Sequence, residues 1–81
     1  MNNKYISTKY NILTKNIKYY RLLNNLTQEQ LAEKSDLSVS YIKQIELGHI
    51  YKNISFGSIA KIASALNVEM ENLFKDKQTT K

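Results

Sequence analysis

The 81-residue sequence lacks the features that several kinds of chemistry require. It contains no cysteine and a single histidine, His49, which leaves no disulfide framework and no thiolate or imidazole cluster for a metal. No apolar run approaches the roughly 18 residues of a membrane span, and the N-terminus lacks the apolar core of a secretory signal. There is no nucleophile–base pair, carboxylate dyad or phosphate-binding glycine loop. We therefore expect a cytoplasmic protein that uses no metal or cofactor and is not an enzyme.

Acidic residues are also missing from the first third of the chain. Residues 1–27 contain five basic residues and no acid, whereas residues 28–48 sum to −2 and residues 49–81 to +2, giving the formal net charge of +5. A basic chain favours an anionic partner, although small soluble domains are often mildly basic. Lys, Asn, Ile, Tyr and Phe make up 37 of the 81 residues. AT-rich coding DNA produces this bias, which suggests a low-GC bacterial, phage or plasmid source.

The spacing of apolar residues predicts a chain built from short helices. Residues 1–13 show no stripe with a 3.6-residue period, and we expect them to form a flexible basic arm. A first helix is predicted from Lys15, with Thr14 as its N-cap. Its inward positions would be Ile17, Tyr20, Leu22, Leu23 and Leu26. Asn24 and Asn25 would end it, because asparagine tolerates the left-handed conformation found at helix ends.

Two very short helices follow and meet at the sequence SDLS. Thr27 can cap the second helix, and Gln30 lies where a capping box places Glu or Gln. Ser38 is a natural N-cap for the third helix, and Gly48 fits its C-terminal end. Asp36 stands at the corner between them, where a residue able to adopt positive φ is required. The pattern predicts two helical segments joined by a sharp corner.

The C-terminal third of the chain contains two further predicted helices. Ser55 would cap the fourth helix and Asn67 would end it. A short fifth helix is predicted over residues 69–74. The predicted fold is therefore all-α, with five helices in one domain at residues 14–75 and a polar tail at residues 76–81.

The corner between the second and third helices suggests a use for the domain. Two short helices held at a steep angle project the second one from the body, at a size that fits the DNA major groove. The segment LTQEQLAEKSDLSVSYIKQIELG resembles the helix-turn-helix of the Xre, Cro and phage-repressor-like DNA-binding family, and IAKIASALNVEMENLF resembles that family's closing helices. The resemblance covers roughly residues 15–75. It implies a five-helix, lambda-repressor-like domain that binds operator DNA, usually as a two-fold dimer on a palindromic site.

The resemblance also assigns roles to individual side chains. The positions that contact base edges are matched by Ser38, Val39, Ser40, Lys43 and Gln44. Among these, Gln44 could pair with adenine, Lys43 with guanine or a phosphate, and Val39 could pack on a thymine methyl group. Contacts with the DNA backbone are expected from Gln28, Tyr41, Tyr51, Lys52 and Asn53. The alternative for each is an exposed helix or loop side chain, and Tyr41 could equally pack on the second helix.

Two further sets of residues have structural roles in this interpretation. Arg21 and Glu46 are expected to form a partly buried ion pair that ties the first helix to the end of the third. Met70, Leu73 and Phe74, on the last helix, would complete the core or form an apolar patch for a second subunit. We assign them to a homodimer interface.

Two hypotheses from different classes remain. The first is a sequence-specific transcriptional regulator, a repressor or controller, that binds a palindromic operator in double-stranded DNA as a homodimer. The alternative is an antitoxin-like or other protein-interaction module that uses the same scaffold to bind a protein partner. Exposed apolar surface outside the dimer face would favour the alternative, whereas a polar face containing Lys43 and Gln44 favours DNA.

Overall fold

The computed structural model describes residues 3–48 and 54–76, and its secondary structure is entirely helical within these ranges. In chain order the elements are α1 (Asn3–Leu23), α2 (Gln28–Ser35), α3 (Val39–Leu47), α4 (Phe56–Leu66) and a C-terminal 3₁₀ helix (Met70–Phe74). The all-helical class is confirmed. The fifth element is a 3₁₀ helix rather than an α-helix, since five residues allow few i to i−4 hydrogen bonds and Glu69 provides no side-chain cap. None of the described helices combines the length and hydropathy of a bilayer-spanning segment.

Helix α1 begins much earlier than predicted. Residues 3–13, expected to form a flexible arm, are helical and continuous with the rest of α1, so the domain boundary placed at residue 14 falls inside a helix. Thr14 is not an N-cap but an interior residue, whose hydroxyl donates to the carbonyl of Asn11 at 3.2 Å. Of the predicted C-terminal tail, residues 77–81 lie outside the described ranges.

The early start of α1 has a physical cause in its inward side. Leu13 and Ile17 are fully buried, Tyr10 packs against the core, and Ile6 is partly buried. These four residues follow a 4-3-4 spacing, which places them on one side of a helix. Burying a leucine or isoleucine stabilises a fold by about 1.5–3 kcal/mol, and this helps to order the N-terminal turns.

The predicted inward positions at the end of α1 were partly wrong. Leu22 and Leu23 are 56% and 62% exposed, whereas the neighbouring Arg21 is buried. Helical geometry explains the difference, because Arg21 lies four residues after the buried Ile17 and shares its side, while the two leucines point away. Tyr20 is half-buried and packs against the core.

Apart from the start of α1, the predicted ends of the four α-helices are confirmed. Thr27 and Gln30 form the reciprocal capping box of α2, with bonds of 3.0 and 2.8 Å, and Ser38 caps α3. The fourth helix begins at the N-cap Ser55. The backbone is left-handed just after the C-terminal end of each of the four α-helices. The residues are Asn25, Asp36 and Asn67, each with φ 59°, and Gly48 with φ 80°. Helices α2, α3 and α4 are therefore each bounded by a capping residue at the start and a residue with positive φ at the end.

Helices α2 and α3, which form the corner, pack on the same hydrophobic core. Ala32 in α2 is almost fully buried, and its small side chain permits the close approach of the neighbouring helices. Leu31 from α2 and Ile42 and Ile45 from α3 are also buried there. Helix α4 completes the core through Ile59, Ile62, Ala63 and Leu66. This packing holds α2 and α3 as one rigid corner.

A buried asparagine fastens the C-terminal segment to α1. The Asn16 side-chain amide donates to the carbonyls of Leu73 and Lys75, at 2.9 and 2.7 Å. Asn16 and Leu73 are both buried, so a polar bond and an apolar contact act at the same place. The 3₁₀ helix, too short to be stable alone, is thereby held against the middle of α1.

Candidate nucleic-acid interface

Helix α3 has one buried and one exposed face. Ile42 and Ile45 point into the core, whereas Ser40, Lys43 and Gln44 are exposed and fall on one side of the helix by their spacing of three and four residues. The exposed side therefore presents a hydroxyl, a cation and an amide in a row. These groups can donate or accept the hydrogen bonds that base edges offer in the major groove.

The start of α3 is partly committed to structure. The Ser38 side chain is exposed, and its oxygen accepts the backbone N–H of Tyr41 at 3.0 Å as the N-cap. Its hydroxyl hydrogen can still donate to a ligand. Val39 is half-buried and packs against the core, which leaves only part of its side chain for a thymine methyl group.

Tyr41 contributes mainly to packing. Its ring is partly buried against the core, and its hydroxyl donates to Oγ of Ser58 on α4 at 3.1 Å. These contacts favour the packing alternative over a contact with phosphate. A phenol that already bonds Ser58 would have to exchange that partner to reach DNA.

Arg21 and Glu46 form the ion pair expected between α1 and α3. Nε of Arg21 donates to Oε2 of Glu46 at 2.7 Å and Nη2 donates to Oε1 at 3.0 Å. A third guanidinium nitrogen, Nη1, donates to the carbonyl of Leu26 at 2.8 Å. Both side chains are almost fully buried. The bidentate geometry satisfies two buried charges and fixes the end of α3 against α1.

Gln28 belongs to the same network. Its Nε2 donates to Oε1 of Glu46 at 3.1 Å, which holds the side chain beside the end of α3. A primary amide has two N–H donors, so one remains for another acceptor. The structure therefore presents Gln28 as an anchored donor at the start of α2, where helix N-termini favour anions.

A shallow crevice of about 250 Å³ lies between the three helices at this point, lined by Lys18, Gln28, Lys43, Glu46 and Leu47. Lys18 and Leu47 were not among the predicted site residues. Leu47 is 67% exposed and continues the row of Ser40, Lys43 and Gln44 along α3. Its position four residues after Lys43 is the sequence signal that could have identified it.

The expected dimer residues separate into two groups. Leu73 is fully buried in the core of its own chain, so its assignment to a dimer interface was wrong: its apolar surface is already covered. Phe74 is 37% exposed and Met70 is half-buried. Of the three predicted dimer residues, only Phe74 and Met70 present side-chain surface.

Three predicted backbone contacts cannot be placed on this surface. Tyr51, Lys52 and Asn53, together with His49, lie in the segment between α3 and α4 that falls outside the described residues. Their roles stay predictions.

Comparisons with known proteins agree on one family. Residues 17–73 match the family model described as helix-turn-helix. The chain is 40% identical over 62 residues to control protein C.SmaI of Serratia marcescens, covering 76% of this chain and 71% of that protein. Its fold is similar to a hypothetical transcription factor, NHTF, from Neisseria, with TM-score 0.80, 28% identity and coverage of 86% and 78% of the two chains. It is also similar to the restriction-modification controller protein C.AhdI from Aeromonas hydrophila, with TM-score 0.76, 33% identity and coverage of 83% and 98%.

Proposed function

We propose that this chain, which belongs to the helix-turn-helix family of DNA-binding transcriptional regulators, binds a palindromic operator as a homodimer through the major groove. The exposed row of Ser40, Lys43 and Gln44 carries the proposal. Helix α3 enters the groove and presents these side chains to base edges. Gln44 pairs with adenine, and Lys43 pairs with guanine or a phosphate. The hydroxyl of Ser40 can donate or accept a hydrogen bond, so it can pair with either base.

The crevice beside α3 supplies the contacts that position the domain. Lys18 and Lys43 provide two cations near the anchored amide of Gln28. Phosphates neutralised by lysine release condensed counterions, so binding weakens as salt concentration rises. These contacts hold the domain in register but do not distinguish sequences.

Dimerisation supplies the affinity that one small module lacks. A single domain of this size buries little surface on DNA, whereas two copies reach half-sites about one helical turn, ~34 Å, apart. We assign the dimer contact to Phe74 and Met70 on the 3₁₀ helix. Their partial exposure supports this assignment.

The regulator is of the controller type in this proposal. Its similarity to a control protein from Serratia marcescens and to a restriction-modification controller protein from Aeromonas hydrophila supports this class. A controller that governs its own gene would have its operator immediately upstream of that gene. Binding is the whole activity we propose.

Selection of bound duplexes from a random DNA pool at ~150 mM salt tests the proposal, since weak electrostatic binding is suppressed there. We expect a palindromic consensus with fixed half-site spacing, and a match to it upstream of the gene. Recovery of no consensus by folded protein would contradict the proposal and favour a protein-interaction module.

Sedimentation of the chain tests the dimer contact independently of DNA. Phe74→Ser should shift a dimer toward monomer, whereas Phe56→Ser, on α4, should leave the sedimentation unchanged. Phe56 is 75% exposed and serves as a matched control for loss of an exposed aromatic ring. A wild-type monomer at DNA-binding concentrations would contradict the homodimer.

A further inference from the structure

Helix α1 has an exposed side that the DNA-binding proposal does not use. We call it the outer face of α1 and define it by six residues: Tyr5, Thr8, Ile12, Lys15, Tyr19 and Leu22. Tyr5 is 61% exposed, Tyr19 47% and Leu22 56%, and Leu23, just beside them, is exposed as well. Large apolar surfaces of this kind on a small domain mark contact sites for other molecules.

The outer face has the spacing of a helix–helix contact. Its six residues follow each other at intervals of 3, 4, 3, 4 and 3, which is the repeat that lines the contact between two packed helices. The opposite side of α1, from Tyr10 to Ile17, already packs on the domain core. A second helix lying along the outer face would therefore bury it over most of the length of α1.

A groove already exists along part of this face. It has a volume of about 420 Å³ and is lined by Thr8, Asn11, Ile12, Lys15, Asn16, Tyr19 and Asp76. One wall is formed where Asn16 fastens the C-terminal segment to α1, so the groove is part of the folded domain. Ile12 and Tyr19 provide apolar surface in this groove, beside Lys15 and Asp76.

The outer face is separate from the candidate DNA surface. Lys18 lines the crevice beside α3, whereas Lys15, three residues earlier, lines the groove beside Asp76. The two lysines are about one helical turn apart, but Lys15 lines the groove and Lys18 lines the crevice. An occupant of the groove would leave Ser40, Lys43 and Gln44 accessible.

Charge indicates which kind of helix would fit. Helix α1 contains Lys4, Lys9, Lys15, Lys18 and Arg21 and no acidic residue. Arg21 is paired with Glu46 and Lys18 lines the crevice beside α3, so Lys4, Lys9 and Lys15 remain for the outer face, against one acidic residue, Asp76, in the groove. An apolar seam beside an excess of cations is complementary to an amphipathic helix whose flanking residues are acidic. We propose that the outer face of α1 docks an acidic amphipathic helix of a partner protein, alongside DNA binding by α3.

Other occupants match this face less well. A second copy of α1 would place its lysines against the lysines of the first copy, and like charges across a helix pair repel each other. The segment KQTTK, residues 77–81, contains two lysines and no apolar side chain, which does not match an apolar groove beside Lys15. Nucleic acid would match the cations but would offer little apolar surface to cover Leu22 and Leu23.

Two synthetic peptides test the proposal with the full chain. Both are as long as α1 and have leucine at the seam positions of a helix; one carries glutamate at the flanking positions and the other lysine. Fluorescence anisotropy should show binding of the glutamate peptide, weakening with added salt, and binding at least about tenfold weaker for the lysine peptide. Amide chemical shifts should change along α1.

Paired variants identify the face. The double variant Tyr19→Ser, Leu22→Ser should bind the glutamate peptide with at least about tenfold lower affinity, because two exposed apolar side chains are removed. Phe56→Ser, which removes a still more exposed ring from α4, should leave peptide binding unchanged. Circular dichroism checks that each variant is folded, as expected for changes at exposed positions.

Several results would overturn the proposal. Equal affinity for the glutamate and lysine peptides would show that the contact is non-specific apolar adhesion. The same conclusion would follow if Phe56→Ser lowered peptide affinity as much as the double variant does. A shift of the peptide-free double variant from dimer to monomer would assign the outer face to a second copy of the chain. Loss of duplex DNA binding by the folded double variant would assign it to nucleic acid.

Discussion

The exposed faces of α3 and α1 differ in their chemistry although both belong to one small helical domain. The face of α3 presents Ser40, Lys43 and Gln44, whose groups form directional hydrogen bonds, whereas the outer face of α1 presents tyrosine, isoleucine and leucine. Directional polar groups discriminate between base pairs, and apolar side chains match the covering surface of another protein. One small domain thus exposes a polar face on α3 and a largely apolar face on α1, and we propose different partners for the two.

Helices α1 and α3 are joined by the buried ion pair between Arg21 and Glu46, and breaking it should have the largest effect. Arg21→Met should lower the free energy of unfolding by about 3–5 kcal/mol, because it leaves the Glu46 carboxylate buried without its cation. Thermal and chemical denaturation measure this loss. Lys18→Met, which removes an exposed cation from the same helix, is the control; equal melting of the two variants would show that the pair contributes little.

Loss of the amide at the centre of the α3 face should separate base recognition from general binding. Gln44→Ala should cost about 1–3 kcal/mol at particular base pairs of the selected operator and leave other positions unaffected. Binding titrations on single-base variants of the operator measure the effect. A uniform loss on all duplexes would place Gln44 on the DNA backbone.

Lys15 lines the groove and Lys18 lines the crevice, so variants at these two positions of α1 compare the two surfaces directly. Lys18→Ala should weaken binding to all duplexes alike and reduce the slope of log affinity against log salt by about one, since one phosphate contact is lost. Lys15→Ala, on the outer face, should leave that slope unchanged. A matching decrease for both variants would contradict the separation of the two surfaces.

The smallest effect is expected from a substitution of Asp36, at the corner between α2 and α3. Asp36→Gly should raise the free energy of unfolding by about 0.5–1 kcal/mol, because glycine adopts the observed φ of 59° without the penalty that a β-carbon brings. Asp36→Ala should lower it. Denaturation midpoints measure both changes, and operator preference should stay the same; a destabilised Asp36→Gly variant would mean that the aspartate side chain itself supports the turn.

Local signals made the corner predictable. The capping box of Thr27 and Gln30, the N-cap Ser38 and the positive φ of Asp36 were all identified from short stretches of sequence. These features depend on bonds between residues a few positions apart, which a sequence contains explicitly. The candidate base-contacting row on α3 was predicted from the family resemblance, which matches its residues to positions that contact base edges.

Local spacing and capping were enough to predict the helical class and the ends of α2, α3 and α4, and the family resemblance rests on two continuous segments of sequence. Long-range packing sets where α1 begins, buries Leu73 in the core and leaves Leu22 and Leu23 facing outward. Burial depends on neighbours far apart in the chain. Asn16, for example, bonds carbonyls 57 and 59 residues away. Local pattern cannot identify such partners, and the chain must fold before a side chain acquires them.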